Sequence, residues 1–253
     1  MRIAMCQVFL ADGDRSGNFV RIENGIAEAK ESGAEIACLP ETAILGWVNP
    51  DAHERACAIP GEDSNRLCGL AEKYEIYVCV GLAEKDGEDL YDSAVLIDDT
   101  GEILLKHRKI NLLAELMEPA YTAGDGVGVA ETKFGRAGLL ICADTHTDEI
   151  LERMGALKPD LLLVPYGYAA VEEDWPGHGK ELERVVANAA SRAGAVVVGT
   201  NAMGAISNGP WRGRVYGGQS AMADNNGAIM AKARDRDRDI VVVEVEIGGG
   251  DMG

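Results

Sequence analysis

The chain contains seven short segments that are almost uninterruptedly apolar and rich in Val, Ile, Leu and Cys. A strand that is apolar at nearly every position belongs to a sheet that is covered on at least one face and often on both, so these segments predict buried strands. Amphipathic runs at 19–29, 64–74 and 181–193 have helical spacing and can supply that cover. The alternation of the two patterns predicts an α/β fold. The seven segments are IAMCQV (3–8), EIACLPE (35–41), IYVCVGLAE (76–84), DSAVLID (92–98), AGLLIC (137–142), DLLLVP (160–165) and AVVVGTN (195–201).

Two segments interrupt this alternation with a hairpin pattern. VLIDDTGEILLKHRK (95–109) and SAMADNNGAIMAKA (220–233) each place a D-x-x-G turn between strand-like residues, which predicts a mixed sheet in each half of the chain. DIVVVEVEI (239–247) alternates valine with glutamate and predicts a half-exposed last strand. The RDRDRD run (234–239) is interpreted as a solvated hairpin edge. No linker separates the halves, so residues 1–253 are expected to form one domain.

The charge of the chain limits its partners. There are 42 Asp and Glu residues against 24 Lys and Arg residues, a formal net charge of -18. Such a surface repels phosphate backbones and anionic lipids, so neither nucleic acid nor a membrane is an expected partner. It also favours neutral or cationic substrates.

Cysteine and histidine spacing argues against a metal centre or a disulfide framework. The six cysteines include no close C-x-x-C pair, and the four histidines lie far apart in the sequence. No phosphate-binding or dinucleotide-binding glycine motif is present. We therefore expect no metal and no cofactor. The apolar stretch at the N-terminus is too short for a signal peptide, so a cytoplasmic location is expected.

Three chemically versatile side chains each follow an apolar run: Glu41, Lys109 and Cys142. Each also has an ordinary interpretation, as a solvated loop acid, a surface lysine with a buried stem, and a cysteine that fills the core. The segment after Cys142, ADTHTDEIL, can start a helix. A thiol at a helix N-terminus has a lowered pKa, so Cys142 is expected to be a reactive thiolate.

Taken together, the segments around these residues resemble the nitrilase, or carbon-nitrogen hydrolase, superfamily. The motifs are LPETAILG (39–46), HRKINL (107–112) and LLICAD (139–144), in the family's order of Glu, Lys and Cys. Other segments also resemble the family, so the resemblance covers nearly the whole chain. It implies a four-layer αββα sandwich, with two mixed β-sheets face to face and helices on the outer faces.

The resemblance also implies roles for individual residues. Cys142 would attack an amide carbonyl to form a thioester, and Glu41 would act as general base and acid. Lys109 and the backbone N–H of Ala143 would stabilise the oxyanion. A second glutamate that positions water is assigned to Glu118 in EPAYTAGDG (118–126), with Glu115 as the alternative. On these roles, Lys109→Ala and Cys142→Ala are each predicted to abolish turnover and leave the fold intact.

Departures from the family pattern bear on the substrate. Nitrilases often have Cys-Trp-Glu where this chain has Cys-Ala-Asp, which favours an amidase acting on a small linear amide. A nitrilase, an N-carbamoyl amidohydrolase and a catalytically silent dimeric binding module remain open. Trp47, His146 and Tyr166 are predicted to form the walls of the substrate pocket. The resemblance implies a homodimer or a higher oligomer, and GGGDMG (248–253) after the last strand argues against assembly through a C-terminal tail.

Overall fold

The computed structural model describes residues 1–247. This part of the chain contains sixteen strands and five α-helices. The helices are α1 (Arg15–Glu31), α2 (Ala52–Arg55), α3 (Glu62–Tyr74), α4 (Asp148–Ala156) and α5 (Gly177–Ala193). The strands are β1 (Arg2–Gln7), β2 (Phe9–Ala11), β3 (Ile36–Cys38), β4 (Tyr77–Asp86), β5 (Asp89–Ile97), β6 (Ile103–Arg108), β7 (Val129–Thr132), β8 (Gly135–Leu139), β9 (Leu161–Tyr166), β10 (Ala169–Ala170), β11 (Val196–Asn201), β12 (Met203–Ala205), β13 (Val215–Gly217), β14 (Ala221–Ala223), β15 (Ile229–Lys232) and β16 (Asp239–Glu244).

Two six-stranded mixed sheets organise the fold. The first has the order β16-β1-β3-β4-β5-β6, and the second has the order β15-β14-β11-β9-β8-β7. In each sheet three central strands are parallel and the outer strands are antiparallel to their neighbours. Both predicted hairpins form, as β5–β6 and β14–β15. The predicted mixed sheet in each half is therefore confirmed, although β16 leaves the second half to pair with β1.

The alternation of side chains along β1 shows how the layers pack. Ile3 and Met5 belong to the hydrophobic cluster that joins the two sheets. Ala4 and Cys6 point the other way, into a cluster shared with Phe19 and other residues of α1. Since successive side chains of a strand face opposite sides, a strand that is buried on both faces must be apolar at nearly every position. The predicted sandwich follows from this pattern.

The helices cover the outer faces of the sheets. Helices α1 and α3 pack on the first sheet, and α5 packs on the second sheet beside α4. In α5 the buried residues recur at helical spacing, among them Leu182, Val186 and Ala190. Gly194 ends that helix in a left-handed conformation (φ +66°), where a residue without a side chain is favoured. The helix–sheet–sheet–helix order completes the four layers.

A third, four-stranded sheet was not predicted. Its order is β10-β13-β12-β2, and each of its strands has only two or three residues. Such short strands carry no periodicity that could distinguish them from loops. The sheet connects β2 of the first half to β12 of the second half through parallel pairing.

Three sequence expectations need correction or comment. The RDRDRD run does not form a hairpin edge: it is a connection from β15 in the second sheet to β16 in the first. It is fixed there because the side chain of Gln7 donates to the carbonyls of Arg234 and Asp237, both at 2.7 Å. The segment 248–253, used above to argue against tail-mediated assembly, lies outside the described residues. Among residues 1–247, no helix is both long and apolar enough to cross a bilayer.

Candidate active site

Glu41 lies between the two sheets, three residues beyond the end of β3. Its backbone N–H donates to the carbonyl of Tyr166 in the second sheet (3.3 Å), and its Oε2 accepts from the N–H of Gly167 (2.6 Å). A Cβ atom at position 167 would lie 2.7 Å from that Oε2, so the position requires glycine. The side chain of Glu41 is buried, which excludes the solvated-acid interpretation.

Lys109 follows β6 and is buried rather than exposed. Its Nζ donates to Glu41 Oε1 and lies 3.3 Å from Asp92 Oδ2, with all three side chains inaccessible to solvent. Burial lowers the pKa of Lys109, but the charges of Glu41 and Asp92 outweigh it, so the pKa lies well above its ordinary value. Lys109 is therefore a fixed ammonium. Its Nζ also lies 5.1 Å from the ring of Trp47, over the ring face.

Asp92, on β5, is a member of this cluster that sequence reasoning missed. Burial, followed by the negative charge of Glu41, raises the pKa of Asp92 well above its ordinary value despite the ammonium of Lys109. Its Oδ1 is buried without a hydrogen-bond partner. With Asp92 protonated and neutral, the carboxylate of Glu41 alone balances the ammonium of Lys109. Asp92 precedes Ser93 inside an apolar strand, and a charged residue in such a run is the signal that could have identified it.

Cys142 occupies a strained turn between β8 and α4. Its φ is +40°, in the left-handed region that residues with a Cβ seldom adopt. The side chain of Thr145 donates to the Cys142 carbonyl at 2.7 Å and holds the turn. The thiol is 6% exposed and is close enough to Glu41 and Lys109 for both charges to act on it. A strained, nearly buried thiol beside two charged groups does not have the surroundings of an ordinary core filler.

The expected lowering of the Cys142 pKa is wrong. Burial raises the pKa of the thiol well above its ordinary value, and the charge of Glu41 raises it further, against the opposing effects of Lys109 and the N–H of Gly167. The helix argument fails because only a one-turn 3₁₀ segment, Cys142–His146, follows directly, and α4 begins later at Asp148. The resting group is therefore a protonated thiol.

Asp144 ties the lysine segment to the cysteine turn. Its Oδ1 accepts from the backbone N–H groups of Ile110 (2.9 Å) and Asn111 (2.8 Å). Its Oδ2 accepts from the N–H of Ile141 at 3.0 Å and from Nε2 of the buried His107 at 2.8 Å. One buried carboxylate therefore fixes both segments, from different sheets, relative to each other.

A cavity of about 330 Å³ opens beside the thiol. Two of the three residues proposed as pocket walls, Trp47 and His146, line it, and so does Ala143, the proposed oxyanion donor. Tyr166 does not, which corrects its assignment: it is fully buried, and its hydroxyl contacts Thr145 Oγ1 at 2.8 Å. The wall position belongs to Tyr168, beyond the end of β9. The other lining residues are Asn111, Leu113, Gly167, Ala169, His178, Trp211 and Arg214.

The structure does not bring Glu118 or Glu115 to this cavity. Both side chains are exposed and line a separate cleft of about 240 Å³ beside Pro50 and Pro210. Tyr121, from the same segment, turns inward, and its hydroxyl donates to the carbonyl of Trp47 at 3.0 Å. The assignment of either glutamate to water positioning is therefore not supported by its location.

Aromatic rings form two sides of the cavity. On one side the rings of Tyr168 and His178 are stacked, with centroids 4.2 Å apart, and His146 lies beyond Tyr168 at 6.1 Å. On the other side Trp47 and Trp211 meet edge to face at 5.5 Å. Burial lowers the pKa of both His146 and His178, so these imidazoles are neutral at pH 7. These aromatic walls therefore carry no charge.

Comparison with known proteins identifies the family of this chain. A model of the carbon-nitrogen hydrolase family matches residues 2–249. The chain belongs to the carbon-nitrogen hydrolase family. The fold agrees with other members of that family: an amidase from Nesterenkonia sp. superposes with a TM-score of 0.83 at 25% identity, covering 97% of this chain and 90% of the other.

Other carbon-nitrogen hydrolases are similar in sequence. An omega-amidase of Xenopus tropicalis is 30% identical over 196 residues, which cover 72% of this chain and 68% of that protein. A bifunctional nitrilase/nitrile hydratase of Nicotiana tabacum is 31% identical over 173 residues, which cover 60% of this chain. This chain spans about half the length of the tobacco protein, 49%. The similar proteins thus include both amidase and nitrilase activities.

Proposed function

We propose that the chain hydrolyses the C–N bond of a small linear amide, giving a carboxylic acid and ammonia or an amine. One observation supports this above the others: the Cys142 thiol lines a cavity and is within electrostatic reach of a buried pair formed by Glu41 and Lys109. An amide carbonyl is a poor electrophile, so its cleavage needs a nucleophile, a proton carrier and an oxyanion donor. These three groups supply each requirement.

In the first step, Cys142 Sγ attacks the amide carbon and its proton passes to Glu41. The C–S bond forms while the carbonyl π electrons move to oxygen. Because the pKa of the thiol is raised, proton transfer has to accompany the attack rather than precede it. The ammonium of Lys109 and the backbone N–H of Ala143, in the first turn after the nucleophile, stabilise the oxyanion.

In the second step, the carbonyl re-forms, the C–N bond breaks and Glu41 gives its proton to the departing nitrogen. This leaves a thioester on Cys142. Water then attacks the thioester carbon as Glu41 takes a water proton, the C–S bond breaks, and the proton returns to sulfur. Atoms and charge balance without a cofactor. Glu118 has no part in the scheme, because its side chain is exposed in a different cleft.

The proposal is tested with a panel of small primary amides, an N-carbamoyl amino acid and aliphatic nitriles, with ammonia release as the readout. We expect the amides to release ammonia and the nitriles to remain intact. Hydroxylamine should divert the acyl-enzyme to a hydroxamate, because a thioester accepts an amine nucleophile readily. If only the nitriles are hydrolysed, the chain is a nitrilase rather than an amidase. If no compound releases ammonia and the intact protein carries no acyl adduct, the chain is a catalytically silent binding module and the proposal is wrong.

Asp92→Asn is expected to lower kcat by less than about tenfold, because the asparagine oxygen can still accept from Lys109 Nζ and the change is at most that of one weakened hydrogen bond. The raised pKa indicates a protonated Asp92, and asparagine has the same shape without the charge. Asp89→Asn, which changes an exposed residue at the start of β5, is the control variant. Steady-state kinetics on the best amide is the measurement. A loss of several thousandfold in Asp92→Asn alone would instead make the Asp92 carboxylate a participant in proton transfer.

The proposal treats residues 1–253 as one catalytic domain that acts as a homodimer in the cytoplasm. Light scattering coupled to size-exclusion chromatography measures the oligomeric state, and cell fractionation measures the location.

A further inference from the structure

Arg214 is the charged side chain of the active-site cavity. Of the twelve residues that line the cavity within residues 1–247, it alone carries a formal charge at pH 7, since burial lowers the pKa of both histidines. Lys109, which lies deeper, is already neutralised by the carboxylate of Glu41. The cavity therefore carries a positive charge in a chain whose net charge is -18.

Within residues 1–247 the guanidinium of Arg214 has no carboxylate partner. No acidic side chain in the described part of the chain lies within 4.0 Å of it. The charges of Asp174 and Glu181 act on His178, and Glu181 pairs with Arg184. In a chain so rich in carboxylates, a half-buried arginine without one is available to bind an anion from outside.

The orientation of Arg214 is fixed by stacking. Its Cζ lies 4.2 Å from the ring of Trp211, and Trp211 contacts Trp47 edge to face at 5.5 Å. Trp47 in turn lies against Lys109, with Nζ at 5.1 Å from the ring. Two indole rings thus separate the cation at the reaction centre from the cation at the far side of the cavity. A stacked guanidinium keeps its edge free for a bidentate carboxylate.

We propose that Arg214 determines specificity: it selects amides whose apolar acyl chain ends in a carboxylate, which pairs with the guanidinium while the amide carbon lies at Cys142. The proposal rests on the proposed amidase function and deepens it. The aromatic walls fit an apolar spacer, and a single guanidinium matches one carboxylate. This reverses the expectation drawn from net charge, because the local charge of the cavity is opposite to that of the whole chain.

The test uses monoamides of succinic, glutaric and adipic acid. Each is compared with an amide of the same length that ends in a methyl group and with one that ends in an ammonium group. We expect the acid to exceed the methyl compound in kcat/KM by about 10- to 100-fold at the best length, the range of a charge-assisted hydrogen bond. The ammonium compound is expected to be the poorest. Arg214→Gln should collapse the acid-to-methyl ratio towards one, whereas Arg214→Lys should retain part of it.

Arg212→Gln is the matched control, because it removes the same charge from an exposed position two residues away and outside the cavity. Its ratio should equal that of the parent. A second readout is calorimetric binding of the same compounds to Cys142→Ala, which does not depend on turnover. If the acid-to-methyl ratio is near one in the parent, or if Arg214→Gln leaves that ratio unchanged, the inference is overturned while the amidase proposal stands. Arg214-dependent binding of the acid without turnover of any amide supports the inference and overturns the amidase proposal.

Discussion

Replacement of Cys142 with Ala is expected to lower kcat on the best amide by about 10⁶-fold, the effect of deleting a catalytic nucleophile. Sγ is the one protein atom of the proposed scheme that forms a bond to substrate carbon, and alanine offers no substitute. Ammonia release and intact-protein mass together measure the loss: the variant should show neither product nor acyl adduct.

The control for this variant is Cys68→Ala, which removes a partly exposed cysteine on α3. It should keep the parent rate, and both variants should keep the parent circular dichroism spectrum. Retained turnover in Cys142→Ala would mean that the thiol merely fills space, the interpretation that the sequence left open.

Lys109→Met is expected to lower the free energy of unfolding by about 3–5 kcal/mol, the usual result of removing one member of a buried ion pair. Methionine fills the volume but leaves Glu41 and Asp92 side by side without a cation. Turnover should fall as well, by about 10²- to 10³-fold for the lost oxyanion donor. From sequence alone Lys109→Ala was predicted to leave the fold intact, but the burial of the ammonium changes that expectation for any uncharged replacement.

The instability of Lys109→Met should depend on pH. The pKa of Asp92 is already raised in the folded protein and should rise further without Lys109. A carboxyl group with a raised folded pKa stabilises the fold while protonated, and this contribution disappears as the pH rises through that pKa. The variant should therefore regain stability relative to the parent as the pH falls from about 8 to about 5.

Urea unfolding at several pH values measures this effect. Lys232→Met, which changes an exposed lysine on β15, should show little change at any pH. The double variant Lys109→Met with Asp92→Asn should recover part of the lost stability. A pH-independent deficit in Lys109→Met would show that lost packing, rather than two unpaired carboxyl groups, destabilises it.

The sequence predicted the architecture because its signal is strong in long, doubly buried strands. The apolar runs at 76–84 and 195–201 correspond to β4 and β11 with shifts of at most two residues. The order of the three motifs was enough to predict Glu41, Lys109 and Cys142 as candidate site residues. The shortest strands, such as β10 and β12, escaped because two or three residues are too few for a periodic pattern.

The site was predicted less completely, for identifiable physical reasons. Tyr166 is the last residue of β9 and packs into the core, whereas Tyr168, beyond the strand end, reaches the cavity. The thiol pKa depends on burial, which outweighs a local helix effect that the sequence suggested. Asp92 and Arg214 lie far from the motifs in sequence, so their roles depend on contacts that only the folded chain provides.

The pairing of β16 with β1 has a consequence for synthesis. Residues 2–7 leave the ribosome long before residues 239–244, which form the strand that covers their outer edge. During translation β1 therefore presents an uncovered edge until residues 239–244 have emerged. A nascent chain stalled before residue 239 would carry an open template for strand addition, and a chaperone that shields extended N-terminal segments would protect it.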